Sequence, residues 1–206
     1  MKQRIDIDTW IRKPHYLHFK DFDEPFYGVC VSVDCTKAYQ KAKEMNASFY
    51  LYYLHKSLLA AKQVEAFCYR IENNQVFLYD ECRPTITVDR PDGTFGFGYI
   101  DFFEDFGDFQ TAGKNEIEKV RKEHSLVASG LDNVIHYSAA PWINFTSLSH
   151  PRRFSTGDSC PKITFGKLTD TDGKKLIPVA IHVHHALVDG RDIGEFVDIF
   201  QKLLNE

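Results

Sequence analysis

A chain of 206 residues, 43% hydrophobic and 14% aromatic, is long enough to bury one sizeable core and short for two. Its net charge is -4, and Lys and Arg are scattered, which excludes the basic footprint of a nucleic-acid binder. No uninterrupted apolar stretch approaches a bilayer span, so no membrane-crossing segment is expected.

The five cysteines show no CxxC spacing, which argues against a zinc site or a disulfide framework. The opening MKQRIDIDTW has no signal-peptide core, and a cytoplasmic protein is expected. No repeat, low-complexity tract or Pro/Ser-rich linker divides the sequence, so residues 1–206 read as a single domain.

In chain order, Asp34 is placed to cap a helix whose Ala38, Tyr39, Ala42 and Met45 share one face. Asn46 or Ser48 then opens a more buried helix, with Leu51, Leu54, Leu58 and Ala61 on one side. From Tyr69 the pattern turns to short β-rich runs: a hairpin about Asn73-Asn74, then TITV (Thr85 to Val88), then Asp92-Gly93 followed by TFGFGYI. Lys114 to His124 reads as an exposed helix resting on Ile117 and Val120. Further runs begin at Val134, Ile143 and Ile163. Asp172-Gly173 makes a turn before LIPVAIHVHH. A last amphipathic helix carries Ile193, Phe196, Val197, Phe200, Leu203 and Leu204 at i, i+3, i+4, i+7 spacing. The pattern is that of an α+β chain.

The densest chemistry is IHVHHALVDG, Ile181 to Gly190. Along this last strand Val179, Ile181 and Val183 point one way and Ala180, His182 and His184 the other, while His185 falls where the strand ends. Three readings compete here. The histidines can be polar residues at a strand end, with Asp189 simply an N-cap. His182 and His184 can be metal ligands, although no carboxylate or third ligand lies nearby in sequence. One histidine can be a general base, since imidazole titrates nearest neutrality. No GxSxG elbow is present and no cysteine lies beside a histidine in a recognisable context. The remaining option is direct attack by a substrate hydroxyl or thiol on an acyl thioester, which needs no protein nucleophile.

HHALVDG, preceded by KLIPVAIHV, resembles the active-site signature of the chloramphenicol acetyltransferase family, shared in looser form by the acyltransferase cores of 2-oxo acid dehydrogenase complexes. TWIRKPHYLHF, YSAAPWINFTS and PKITFGK resemble three further motifs of that family, in the right order and spacing. The resemblance spans nearly the whole chain. It implies a two-layer sandwich, a mixed β-sheet with helices packed on one face.

The resemblance also implies an acetyl-CoA-dependent O-acetyltransferase without a metal, associated with antibiotic resistance and assembled as a homotrimer with active sites between subunits. His185 resembles the general base, its ring held partly by its own backbone carbonyl. Ser138 resembles the oxyanion donor and Thr164 a residue holding a water. Asp189 resembles a structural partner of Arg12. If buried, that pair would cost on the order of 3–5 kcal/mol to break. Tyr50, Trp142 and Lys167 resemble residues of the CoA channel. Plain core packing accounts almost as well for Tyr50 and Trp142. Ser138 can also be a polar residue on a strand, although the adjacent Ala139-Ala140-Pro141-Trp142 favours the functional reading, and a strand-interior threonine such as Thr164 is common without any role.

Several positions depart from the family pattern. Leu168 stands where a tyrosine is frequent beside the lysine, and Ser48 where a lysine approaches the CoA phosphate, so a weaker or shifted CoA pose is expected. In the acceptor pocket Phe19, Tyr27 and Phe95 keep an aromatic character and Phe97 replaces a small residue. The stretch SLSHPRRFSTGDSC puts His150 and Arg152 where apolar side chains are usual. Chloramphenicol or another small hydroxylated compound is the expected acceptor, with chloramphenicol a poor one. The alternatives are a lipoyl transacylase, disfavoured because the usual preceding modules are missing, and a non-catalytic or altered-specificity member binding another small ligand.

Overall fold

A computed structural model describes residues 1–126, 130–152 and 157–206. Residues 153–156 of the SLSHPRRFSTGDSC stretch lie outside the described residues. The elements run β1 (Lys2–Arg4), α1 (Lys13–Phe19), β2 (Phe26–Asp34), α2 (Thr36–Glu44), α3 (Phe49–Gln63), a 3-10 turn (Glu65–Cys68), β3 (Tyr69–Glu72) and β4 (Gln75–Tyr79). They continue with β5 (Arg83–Asp89), β6 (Phe95–Tyr99), α4 (Phe106–Lys122), β7 (Val134–Ala139), β8 (Lys162–Phe165), β9 (Thr169–Thr171), β10 (Lys174–His184) and α5 (Gly190–Leu204).

The large sheet has the order β2-β10-β8-β7-β5-β6, with β9 paired to the start of β10. The β7 strand runs parallel to both β5 and β8, and the other pairs are antiparallel, so the sheet is mixed. A small sheet, β1-β4-β3, turns on Asn73-Asn74, whose φ values of 50° and 59° are those of a two-residue hairpin turn. The fold expected from the sequence is the fold observed.

Local chemistry accounts for the helices. Ser48 caps α3 by accepting from the Leu51 amide. Asp189 and Asp192 form a reciprocal capping box at the start of α5. Asp34 lies outside α2 but its carboxylate accepts from the Thr36 amide. Ile193, Phe196, Phe200 and Leu204 of α5 are buried together with Leu51, Leu54 and Leu58 of α3. Beneath them lie Tyr137, Ile163, Phe165, Val179, Ile181 and Val183 from the sheet.

Alternation then sends the intervening residues to the opposite, helix-free face. There the register lines up Phe26, Gly28 and Cys30 of β2 with His184, His182 and Ala180 of β10. Lys162 and Thr164 follow on β8, then His136 and Ser138 on β7. Next come Thr85 and Thr87 on β5, and Tyr99, Phe97 and Phe95 on β6.

Three sequence expectations need correction. The α4 helix begins at Phe106, not Lys114; Asp105 caps it, and Phe109 and Gly113 belong to its buried side. Ile143 lies in a turn instead of a strand, in the loop that follows β7. The α1 helix, opened by Pro14 in its first turn, was not expected.

Arg70 is fully buried where the two sheets meet. Its Nη1 donates to the carbonyls of Phe67 and Tyr69, its Nε to that of Asp132, and its Nη2 to that of Val134 and to Cys82 Sγ. Every N–H of the guanidinium is therefore used.

Candidate active site

The turn after β10 is fixed by its backbone. The amides of Leu187 and Val188 both donate to the His184 carbonyl, at 2.9 and 3.0 Å, and the His185 amide donates to Pro25 O at 2.8 Å. The two histidines face different surroundings. His184 is buried against Phe26, and its Nδ1 accepts from the Ala186 amide. Burial pushes its pKa down to about 4, which keeps it neutral.

His185 is half-buried. Its ring stacks on Phe19 at 4.1 Å between centroids and lies against Tyr27 at 4.4 Å. Its Nδ1 is buried without a hydrogen-bond partner, so the expected bond to its own carbonyl is not formed. That leaves Nε2 as the nitrogen on the accessible edge.

Arg12 positions this corner. Its Nη1 lies 2.9 Å from Asp189 Oδ2 and 3.6 Å from Asp192 Oδ2. It immediately precedes α1, whose last residue is the Phe19 that packs on His185. Asp189 thus caps α5 and pairs with Arg12 at once. Burial works to raise the Asp189 pKa, but the hydrogen bonds from Arg12 and from the Arg191 and Asp192 amides hold it below 3.8. Side-chain exposures of 15% for Arg12 and 35% for Asp189 make this a partly solvated pair. Breaking it should cost about 1–2 kcal/mol, less than a fully buried pair. Tyr27 beside it is pushed up to about 12, mainly by burial and then by the charges of Asp189 and Asp192.

Ser138 lies elsewhere. It lines a cavity of about 530 Å³ together with Tyr50, Phe95 and Trp142, so three residues expected near the ligands share one space with it. The Tyr50 hydroxyl is buried and unpartnered. Phe97 packs edge-on against Phe95. Lys167 is exposed just beyond β8, its amide bonded to Ile143 O.

Thr164 is level with Ser138 on the neighbouring strand and is itself level with Ala180. His185 is therefore five residues further along and two strands across from Ser138. At ordinary strand spacings that is roughly 19 Å between α-carbons. Within one chain the imidazole and the serine hydroxyl cannot act on one carbonyl.

Beside Ser138 and Thr164 the helix-free face is polar. Thr164 Oγ1 and His150 Nε2 are 3.1 Å apart. His150 meets the His182 ring edge-on at 4.9 Å, and His182 Nε2 donates to Leu148 O at 3.0 Å. His136 Nδ1 lies 2.8 Å from Thr85 Oγ1. Lys162 pairs with Asp158, and Arg152 pairs with Glu24 while covering Phe26. Burial lowers the pKa of His136 and of His150 to about 4, and lowers that of His182. His150 stands at Thr164 as a neutral imidazole.

Sequence reading placed His150 and Arg152 in this region but missed His136, Asp158, Lys162 and the role of His182. Period-two alternation from Ser138 and Thr164 was the available signal for His136 and Lys162. His136, Asp158 and Cys160 also present ligand atoms within 4.8 Å of one another. The Lys162 ammonium already neutralises Asp158, and Lys162 and Arg70 both disfavour added positive charge at His136, so the trio does not fit a divalent cation.

A mixed sheet covered by helices on one face, presenting a histidine where its longest strand ends, defines the class: the protein is an acyltransferase. More particularly, the chain belongs to the chloramphenicol acetyltransferase family, whose model matches residues 2–201. The chloramphenicol acetyltransferase of Bacillus pumilus is 27% identical over 207 residues, covering 99% of this chain and 94% of that one. A solved chloramphenicol acetyltransferase superposes with a TM-score of 0.93 at 29% identity, over 99% of this chain and 100% of the other. The dihydrolipoamide acetyltransferase of Azotobacter vinelandii shares the fold, with a TM-score of 0.69 at 18% identity over 94% and 87% of the two chains. Among the described residues no helix is long and apolar enough to cross a membrane.

Proposed function

We propose that this protein transfers an acetyl group from acetyl-CoA to a hydroxyl of a small acceptor. The observation that carries the reading is the His185 ring, clamped by Phe19 and Tyr27 with only its Nε2 edge open. In the proposed reaction, Nε2 takes the proton of the acceptor hydroxyl as its oxygen attacks the thioester carbonyl. The Ser138 hydroxyl donates to the oxyanion of the tetrahedral intermediate. Collapse expels the CoA thiolate, which recovers a proton from the imidazolium. Tyr50 and Trp142, in the Ser138 cavity, are proposed to line the CoA side with Lys167 at its exposed rim.

The same reading makes residues 1–206 one domain acting in the cytoplasm as a homotrimer. It places each site between copies, with His185 from one and Ser138 from its neighbour, and the roughly 19 Å between them in one chain supports this. Phe19, Tyr27, Phe95 and Phe97 are proposed as aromatic walls for the acceptor.

Chloramphenicol is a poor acceptor in this reading, because the imidazoles beside Ser138 and the paired Arg152 replace apolar surface. Release of free thiol from acetyl-CoA, followed over a panel of alcohols, tests the activity. A kcat/KM for chloramphenicol of roughly 10⁶ M⁻¹s⁻¹ or above would overturn the altered pocket. No thiol release with any alcohol would overturn the activity itself.

A further inference from the structure

We propose that the acceptor is an uncharged, polyhydroxylated alcohol of sugar or alditol type, recognised through the imidazoles of His150 and His182. The inference rests on the acetyltransferase reading and names the substrate class of that same site.

His182 Nε2 donates to the Leu148 carbonyl, so Nδ1 of a neutral ring is left as an acceptor. That Nδ1 is buried and has no donor. A buried acceptor without a donor is rare in a folded chain and points to a group that the ligand supplies. A ligand hydroxyl can donate to this Nδ1, and together with the hydroxyl that reacts this gives an acceptor substrate with at least two hydroxyls.

The position fits the reaction. His182 stands two residues beyond Ala180, which is level with Thr164. It is therefore roughly 8 Å from Thr164 and on the same face of the sheet, the scale of one or two sugar rings. His150 bonds Thr164 directly. His136, His150, His182 and Ser138 are all half-buried, so the array borders solvent. His182 Nδ1 is itself covered and is met by a ligand only as its ring or the His150 loop shifts.

The charges favour a neutral ligand. Both cations beside the array have carboxylate partners, Lys162 with Asp158 and Arg152 with Glu24. Burial lowers the pKa of all three imidazoles, to about 4 for His136 and His150. A carboxylate or phosphate on the acceptor would find no fixed charge left over for it. An aryl group would leave the His182 nitrogen unpaired.

The test uses the full chain with acetyl-CoA and a panel of three kinds: sorbitol, glucose, N-acetylglucosamine and lactose; chloramphenicol and benzyl alcohol; lactate and glycerol 3-phosphate. One of the first group should exceed the others in kcat/KM by about 100-fold or more, since sites built for hydroxyls reject analogues lacking them strongly. His182→Leu and His150→Leu should each lower that value by roughly 10–100-fold, chiefly through KM, while His182→Gln retains most of it. Calorimetric acetyl-CoA binding shows whether each variant has kept its fold.

Preference for an apolar or an anionic alcohol, or an unchanged preference in folded Leu variants, overturns the inference and leaves the acetyltransferase reading standing. If no alcohol is acetylated, calorimetry with the polyols alone decides. Binding that is lost in His182→Leu keeps a polyol as the ligand of this array while the acetyltransferase reading falls, and absence of binding, or binding unchanged in His182→Leu, removes both.

Discussion

Mixing two inactive variants should restore activity. His185→Ala removes the proposed base and Ser138→Ala the proposed oxyanion donor. Alone, the first should lose roughly 10²–10⁴-fold in rate and the second roughly 10²–10³-fold. The register puts their α-carbons about 19 Å apart in one chain, so in the proposed reaction each site draws them from different copies. In rings assembled from an equal mixture, a site is whole when the copy offering its histidine carries the Ser138→Ala change and the neighbour carries His185→Ala. Each condition holds half the time, so about a quarter of sites are whole. Co-refolded variants should thus reach about a quarter of the parent activity, roughly 20-fold or more above the Ser138→Ala background. The assay is thiol release by the separate and the co-refolded proteins, with sedimentation to show that both assemble. Activity in the mixture no higher than the mean of the two would refute the shared site.

Other outcomes follow from the same geometry. His184→Ala should spare the chemistry more than His185→Ala, because His184 is buried and its Nδ1 is already engaged by the Ala186 amide; reversed losses in steady-state rate would move the base to His184. Asp189→Asn should lower Tm by a few degrees for a loss of about 1–2 kcal/mol. Since Asp189 has a folded pKa below 3.8, the difference from the parent should be full at neutral pH and vanish as pH falls through that folded pKa. Thermal melts giving a constant difference down to pH 2 would contradict the pair. Gly28→Ala should damage acceptor use or stability, because its Cβ would lie 2.4 Å from the His182 ring. Unchanged kinetics and Tm would show that the ring moves aside freely.

Much of this was legible in the chain because it is written locally. The alternation from Val179 to His184, the Asn73-Asn74 turn, the Ser48 cap and the stripe on α5 each need only a short window. The start of α4 was missed because its first turns read as aromatic and glycine-containing, and Asp105 was not recognised as their cap. The α1 helix was missed because it is one short amphipathic segment whose burial, at Tyr16, comes from distant partners. The polar array was hidden for a different reason. His136, His150, Asp158, Lys162 and His182 come from three strands and a loop, and only the register of β7, β8 and β10 brings them together. Motif reading found the residues that resemble the family's and passed over those that only the sheet register assembles.

Arg70 bears on how the molecule opens. Its hydrogen bonds tie the 3-10 turn and β3 to Cys82 and to the carbonyls on either side of the β7 start. The small sheet cannot peel away without exposing a guanidinium from which five bonds have been stripped and leaving four carbonyls to find water. Subglobal opening of that sheet is thereby coupled to global unfolding, so slowly exchanging amides of β3 should share the protection of β7 and β5. Lysine at the same position carries the charge but only three donors on one nitrogen, too few to span these segments. The planar fork, more than the charge, makes two sheets into one cooperative unit.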